Sequence, residues 1–289
     1  MRLSAIRTSC FLAGLSLTGR CLFAGAPRSG ESQEVQMTVY DGHLAVIKGS
    51  IGPANSLNFL LDTGSTHTVI DRKIAKALHL YVHPARAVSF DKTISLDCTE
   101  LPEIAFGPVH ATNLKVLVAD LRTFRAVGIS VDAVVGLDLL TSESFRLDFA
   151  RKLLVFGVDS GIDFRSVPLR TDGSSLRVQL ELDGRPVSMI LDTGSTGVIF
   201  YQDSIENLQS DGHSVRETLL RTAGGPIPCK LAIVPRLRLG SQDLDRRVFL
   251  VSAPRGAIQP DIAGYVGLDA LGAKEITFDF AHNELRWRK

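Results

Sequence analysis

The residues with the clearest capacity for chemistry are Asp62 and Asp192. Each closes an apolar run and opens the same turn: Phe59-Leu60-Leu61-Asp62-Thr63-Gly64-Ser65-Thr66 in the first half, Met189-Ile190-Leu191-Asp192-Thr193-Gly194-Ser195-Thr196 in the second. An apolar strand that ends in this way carries a carboxylate to a tight turn. Glycine there allows close backbone approach, and the Thr and Ser hydroxyls supply local hydrogen bonds. A single Asp-Thr-Gly is compatible with an ordinary turn. Two copies that meet are not, because two carboxylates sharing one site cannot both ionise cheaply and hold one proton between them. The ionised member can then draw a proton from water while the protonated member polarises a carbonyl.

The elements that must position these acids are themselves repeated. Val134-Val135-Gly136-Leu137-Asp138-Leu139-Leu140 recurs as Tyr265-Val266-Gly267-Leu268-Asp269-Ala270-Leu271, and Phe145-Arg146-Leu147-Asp148-Phe149-Ala150 as Ile276-Thr277-Phe278-Asp279-Phe280-Ala281. Three motifs in one order at an offset of 130 or 131 residues indicate duplication. The halves read as lobes over residues 35–156 and 167–289, joined by a connector at 157–166 that carries Gly157, Asp159, Ser160 and Gly161. Leu176 to Leu182 alternates apolar and polar residues before the turn signal Asp183-Gly184, a hairpin feeding the second motif strand. Val39 to Ile47, Leu114 to Val118 and Phe249 to Val251 read as further strands. A short helix is expected after the first motif, capped by Asp71 with Ile74, Ala75 and Leu78 on one face, and a weaker one around Ile205 and Leu208. The fold class is mainly β with short helices.

With both motif pairs in place, the chain resembles an aspartic protease of the retropepsin and pepsin type, two retropepsin-like lobes fused in tandem. The resemblance implies a bilobal, pseudo-twofold acid-protease fold and an aspartic endopeptidase that hydrolyses polypeptide substrates with an Asp62/Asp192-activated water. No metal or other cofactor is called for, and a monomer with an internal pseudo-dimer is expected. It further implies that Thr63 and Thr193 brace the turns across the lobes, with Gly64 and Gly194 in the turns. Ser65 and Ser195 would donate to the outer carboxylate oxygens. On that basis the double change Ser65→Ala and Ser195→Ala is expected to move the acid limb of activity upward. Gly136 and Gly267 are expected to pack behind the turns, and Asp138 and Asp269 are not counted as catalytic. Arg221 to Pro226, with Gly224 and Gly225, is a candidate flap tip over an extended peptide, or an ordinary exposed turn. Its first-lobe counterpart, Ala87 to Thr93 with Phe90 and Asp91, lacks glycine.

Two other functional classes compete. A catalytically silent relative that binds peptide would be expected to have lost one acid, yet both are present. An ATPase of the actin and sugar-kinase class also carries paired Asp-x-Gly-Ser/Thr loops, but needs a helix-rich chain. Charge argues against a nucleic-acid partner and an acidic solvating tail: Lys+Arg 32 against Asp+Glu 31 gives a net charge of +1. Residues 1–26 read as a secretory signal, with Arg2 and Arg7 before the apolar stretch from Cys10 to Leu17 and small residues at Ala24 to Ala26. The stretch is too short to span a bilayer, which takes about 20 apolar residues, and no other window approaches that length. An extracytoplasmic location, periplasmic or secreted, follows, with 27–34 as a short leader and a mature chain that is slightly acidic. Cys98 and Cys229 then remain, either bridged or as two isolated buried thiols. His79 and His83, beside Pro84, read as loop or surface residues without metal-ligand spacing.

Overall fold

A computed structural model describes residues 9–10, 22–23, 32–89, 92–157, 164–205, 216–222, 225–252 and 261–289. Most of the proposed signal segment and of the leader, the tip residues Phe90, Asp91 and Gly224, Leu208 and most of the connector lie outside these. The molecule is mainly β, as the short alternating runs imply. Its α-helices among the described residues are Arg72–Ala77 and Leu137–Leu140, which leaves the helix-rich nucleotide-binding class without a counterpart.

Each lobe delivers its acid in the same way. In the first, the strand Ala54–Leu61 runs parallel to Ala133–Val135 through Phe59↔Ala133 and Leu61↔Val135. Ala133–Val135 is also antiparallel to Val69–Asp71, which follows the Asp62 turn. In the second, Arg185–Asp192 runs parallel to Ile262–Gly267, which is antiparallel to Val198–Tyr201. These strands are apolar on both faces because both faces are covered. Phe59, Leu60, Val134, Leu191 and Val266 are all fully buried. The tightest approach is at Gly264, where a Cβ would come within 1.9 Å of the Ile199 carbonyl oxygen.

The third repeated motif is where the lobes join. Phe145–Asp148 pairs antiparallel with its own copy, Glu275–Asp279, in the register Phe145↔Phe278 and Leu147↔Ile276. Arg146 lies opposite Thr277, its own equivalent in the duplication, so the local twofold passes between them. Leu153–Phe156 and Gln33–Tyr40 extend this sheet on one side, and Glu284–Arg288 and Arg165–Pro168 on the other. Phe145 and Phe278 stack with centroids 4.6 Å apart. One hydrophobic cluster spans both lobes through this sheet, and each lobe keeps a smaller cluster of its own.

Several local expectations change. Val39 to Ile47 is not one strand: Asp41 (φ 48°) and Gly42 (φ 80°) turn the chain between Gln33–Tyr40 and Leu44–Ile51. Two successive positive φ values form the hairpin turn that Asp-Gly favours. The helix around Ile205 reduces to a single 3-10 turn, Gln202–Ser204. The Asp71 cap is present, its carboxylate accepting from the Lys73 amide at 2.8 Å. Cys98 and Cys229 are free thiols, and Cys98 is only partly buried. Each packs in the cluster of its own lobe. His79 and His83 are exposed.

The inter-lobe sheet makes a direct prediction. Phe145→Ala removes a fully buried ring from the stack on Phe278 and is expected to destabilise the chain by roughly 3–5 kcal/mol. Urea unfolding of the variant beside the wild type measures this.

Candidate active site

The duplicated turns meet at the lobe junction. Asp62 and Asp192 are both fully buried, and each packs on the glycine of the opposite turn. A Cβ on Gly64 would lie 2.4 Å from Asp192 Cγ, and one on Gly194 would lie 2.7 Å from Asp62 Cγ. Only glycine admits the opposite carboxyl at that range. Within each turn the glycine amide donates to its own aspartate, Gly64 N to Asp62 Oδ1 and Gly194 N to Asp192 Oδ1, both at 2.9 Å.

Thr63 and Thr193 form a reciprocal lattice between the lobes. Thr63 N donates to Thr193 Oγ1 at 3.0 Å and Thr193 N to Thr63 Oγ1 at 3.1 Å. The hydroxyls then donate onward to Leu191 O and Leu61 O, each at 2.7 Å. Each hydroxyl thus both accepts from and donates to the opposite lobe, which fixes the separation of the two turns.

The serines do not do what the resemblance implied. Ser65 Oγ donates to the carbonyl of His67 at 2.7 Å, and Ser195 Oγ is buried without a partner among the described residues. The cause lies three residues downstream. In the first lobe Thr68 Oγ1 accepts the Gly136 amide at 3.2 Å, leaving the His67 carbonyl to Ser65. In the second lobe Val198 replaces that threonine, and the Gly267 amide goes instead to Gly197 O at 2.8 Å. An acid limb set by both serine hydroxyls is therefore not supported by this geometry.

Gly136 and Gly267 pack directly behind the turns. A Cβ on Gly136 would stand 2.6 Å from the His67 carbonyl carbon, and one on Gly267 2.4 Å from Ser195 O. The acids that follow them act as braces. Asp138 accepts from Thr68 N at 2.8 Å and Thr68 Oγ1 at 2.7 Å, and Asp269 from Gly197 N at 2.7 Å. Sequence reasoning missed both this bracing and His43, a buried histidine that reaches Thr196 from the other lobe. The spacing of Asp138 and Asp269 from their glycines was visible, but the partners were not.

Electrostatics follow burial. Desolvation, then the charge of Asp192 and a hydrogen bond to it, raise Asp62 well above the ordinary carboxylate range, against lowering by backbone donors. Burial pushes Asp138 up to about 6 despite its hydrogen bonds from Thr68, and burial lowers His67. Among the described residues, no cluster of three or more His, Cys, Asp or Glu side chains could hold a metal ion.

The candidate flaps are both hairpins. Arg216–Thr222 pairs with Gly225–Ile233, Thr222 opposite Gly225, so Gly225 begins a strand and Gly224 belongs to the tip outside the described residues. His83–Ser89 pairs with Lys92–Phe106 in the first lobe. Grooves of about 440 Å³ and 640 Å³ run along these hairpins, lined in part by Leu219, Pro228 and Cys229 and by Pro84, Arg86 and Leu96. Neither groove contains the buried acids.

A mainly β, bilobal chain whose duplicated turns press two buried carboxyls against each other has the acid-protease fold of the pepsin and retropepsin type. The family described as aspartyl protease matches residues 46–139 and again 178–270, once per lobe, and the chain belongs to that family. No curated protein matches it. Among the described residues no helix is long and apolar enough to cross a membrane.

Two predictions follow from the braces. Thr63→Val strands the Thr193 amide and the Leu191 carbonyl and is expected to cost roughly 2–6 kcal/mol, read by urea unfolding. Asp138 ionises in the unfolded chain near its ordinary 3.8 but in the folded chain only at about 6. Its contribution is therefore full below the first value and lost as pH rises through the second. Asp138→Asn should remove up to about 3 kcal/mol of the stability that the wild type loses between pH 4 and 7. Unfolding free energies of the two proteins at both pH values provide the check.

Proposed function

We propose that the chain is an aspartic endopeptidase in which Asp62 and Asp192 together activate a water molecule against the peptide bond. The reading rests on one observation above the rest: each carboxyl packs on the glycine of the opposite turn, so the acids belong to one site and neither lobe holds a complete one. The raised affinity of Asp62 for its proton supports a singly protonated pair. The ionised member takes a proton from water as it attacks the scissile carbonyl, and the protonated member hydrogen-bonds to the carbonyl oxygen as negative charge develops there. The proton taken from water then passes to the leaving amine. This sequence needs no covalent enzyme intermediate.

The two hairpins are assigned here as covers over an extended peptide, held by main-chain hydrogen bonds with alternate side chains in pockets. Their tips differ in sequence, so the two sides of the cleft are expected to select differently. Residues 1–26 are assigned as a secretory signal that directs a monomeric enzyme outside the cytoplasm; fractionation and an intact-mass measurement of the exported chain test this.

Activity is expected at acidic to mildly acidic pH and to fall on the alkaline side, where the pair loses its shared proton. Residues 27–289 incubated with denatured protein across a pH series, beside Asp62→Asn and Asp192→Asn, test the assignment. Internal peptide-bond cleavage that disappears in both variants is the expected outcome. Cleavage persisting in either variant, or none by the wild type with a broad peptide library, counts against it.

A further inference from the structure

The Thr63–Thr193 lattice is not the only brace crossing between the lobes. A further repeat lies in the hairpin turns: Asp41-Gly42-His43 and Asp172-Gly173-Ser174, again 131 residues apart. Each of these turns reaches the threonine that follows the opposite Asp-Thr-Gly-Ser motif. Thr66 Oγ1 donates to the main-chain carbonyl of Ser174 at 2.8 Å. Thr196 Oγ1 lies 3.2 Å from His43 Nε2.

The two contacts have the same sense but different chemistry. His43 Nδ1 lies 3.0 Å from the Asp41 carbonyl, which can only accept, so Nδ1 carries the hydrogen. In the neutral ring Nε2 is then an acceptor, and Thr196 donates to it as Thr66 donates to Ser174 O. One outer brace is main chain; the other is an imidazole, buried at 2 % exposure. Thr196 adjoins Ser195, whose amide closes the turn on Asp192 O at 3.3 Å. Among the described residues Ser195 has no side-chain anchor of its own, whereas Ser65 is tied to His67 O. The second-lobe turn thus has the weaker internal hold.

We propose that His43 is a positioning residue: from the first lobe it holds the Asp192 turn of the second through Thr196, supplying as a side chain what Ser174 supplies to the first turn as backbone. This rests on the protease reading above. Geometry held to a fraction of an ångström governs a dyad that must share one proton and one water, so loosening one turn lowers turnover more than substrate binding.

The test combines kinetics with unfolding. His43→Ala and Thr196→Val are each expected to lower kcat by roughly tenfold or more with KM within about twofold, and the double variant to be no worse than either. His43→Gln, whose Oε1 offers an acceptor, should recover most of kcat. Ser174→Ala keeps the main-chain oxygen and loses only the hydroxyl's bond to Asp172, so it should lower kcat less than His43→Ala. Unchanged kcat in folded His43→Ala, no recovery in His43→Gln, or an equal fall in Ser174→Ala would overturn the proposal. Should His43→Ala fail to fold, Thr196→Val and His43→Gln carry the comparison. A double-mutant cycle of His43→Leu, which removes the acceptor, and Thr196→Val on urea unfolding reads the same contact without catalysis, and additive effects there reject it even if the wild type cleaves nothing. A silent wild type with a coupled cycle would instead overturn the protease reading and leave the brace standing.

Discussion

The structure depends on one unfavourable arrangement held in place: two carboxyls, fully buried, facing each other. Burial and a like charge both oppose ionisation, so the pair keeps a proton at pH values where an exposed aspartate would have lost it. Such an arrangement persists only if the backbone around it cannot relax. The four hydrogen bonds of Thr63 and Thr193 provide that restraint, since each threonine is satisfied only while the other stays in place. Glycine at 64 and 194 sets the range, because any side chain there would displace the opposite acid.

The surrounding layers reinforce this constraint with decreasing symmetry. The inter-lobe sheet is close to symmetric, pairing Arg146 with its own equivalent Thr277. The threonine lattice is symmetric atom for atom. Behind the turns the copies diverge: Thr68 fills the Gly136 amide in one lobe, while Val198 cannot serve Gly267 in the other, and the consequence reaches Ser195. A single hydroxyl exchanged for a methyl thus makes two identical Asp-Thr-Gly-Ser turns chemically distinct. Fused lobes permit this divergence, because each copy can change without the other.

Much of this was legible in the sequence because duplication repeats its own evidence. The three repeated motifs were found from offsets alone, the packing of Gly136 and Gly267 behind the turns came from the resemblance, and the apolar runs ending in Asp62 and Asp192 are buried strands. What escaped depends on partners distant in sequence. The serine hydroxyls carry no mark saying whether they face a carboxylate or a carbonyl; Thr68 and Val198, which decide it, lie outside the motif. His43 was invisible for the same reason, because its significance is a contact with Thr196. The Asp41-Gly42 turn was present in the sequence but absorbed into a strand, and with it went the fourth repeat. The bracing by Asp138 was hidden because a carboxylate near a glycine looks alike whether it supports a turn or faces solvent.

The central claim is that Asp62 and Asp192 share one proton, and carboxyl carbon-13 NMR of the aspartates across pH tests it without any substrate. Resonances assigned through Asp62→Asn and Asp192→Asn should titrate together in two well-separated steps, one of them well above the ordinary aspartate value. Two independent transitions, both near the ordinary value, would show that the carboxyls do not form a pair and would contradict the account.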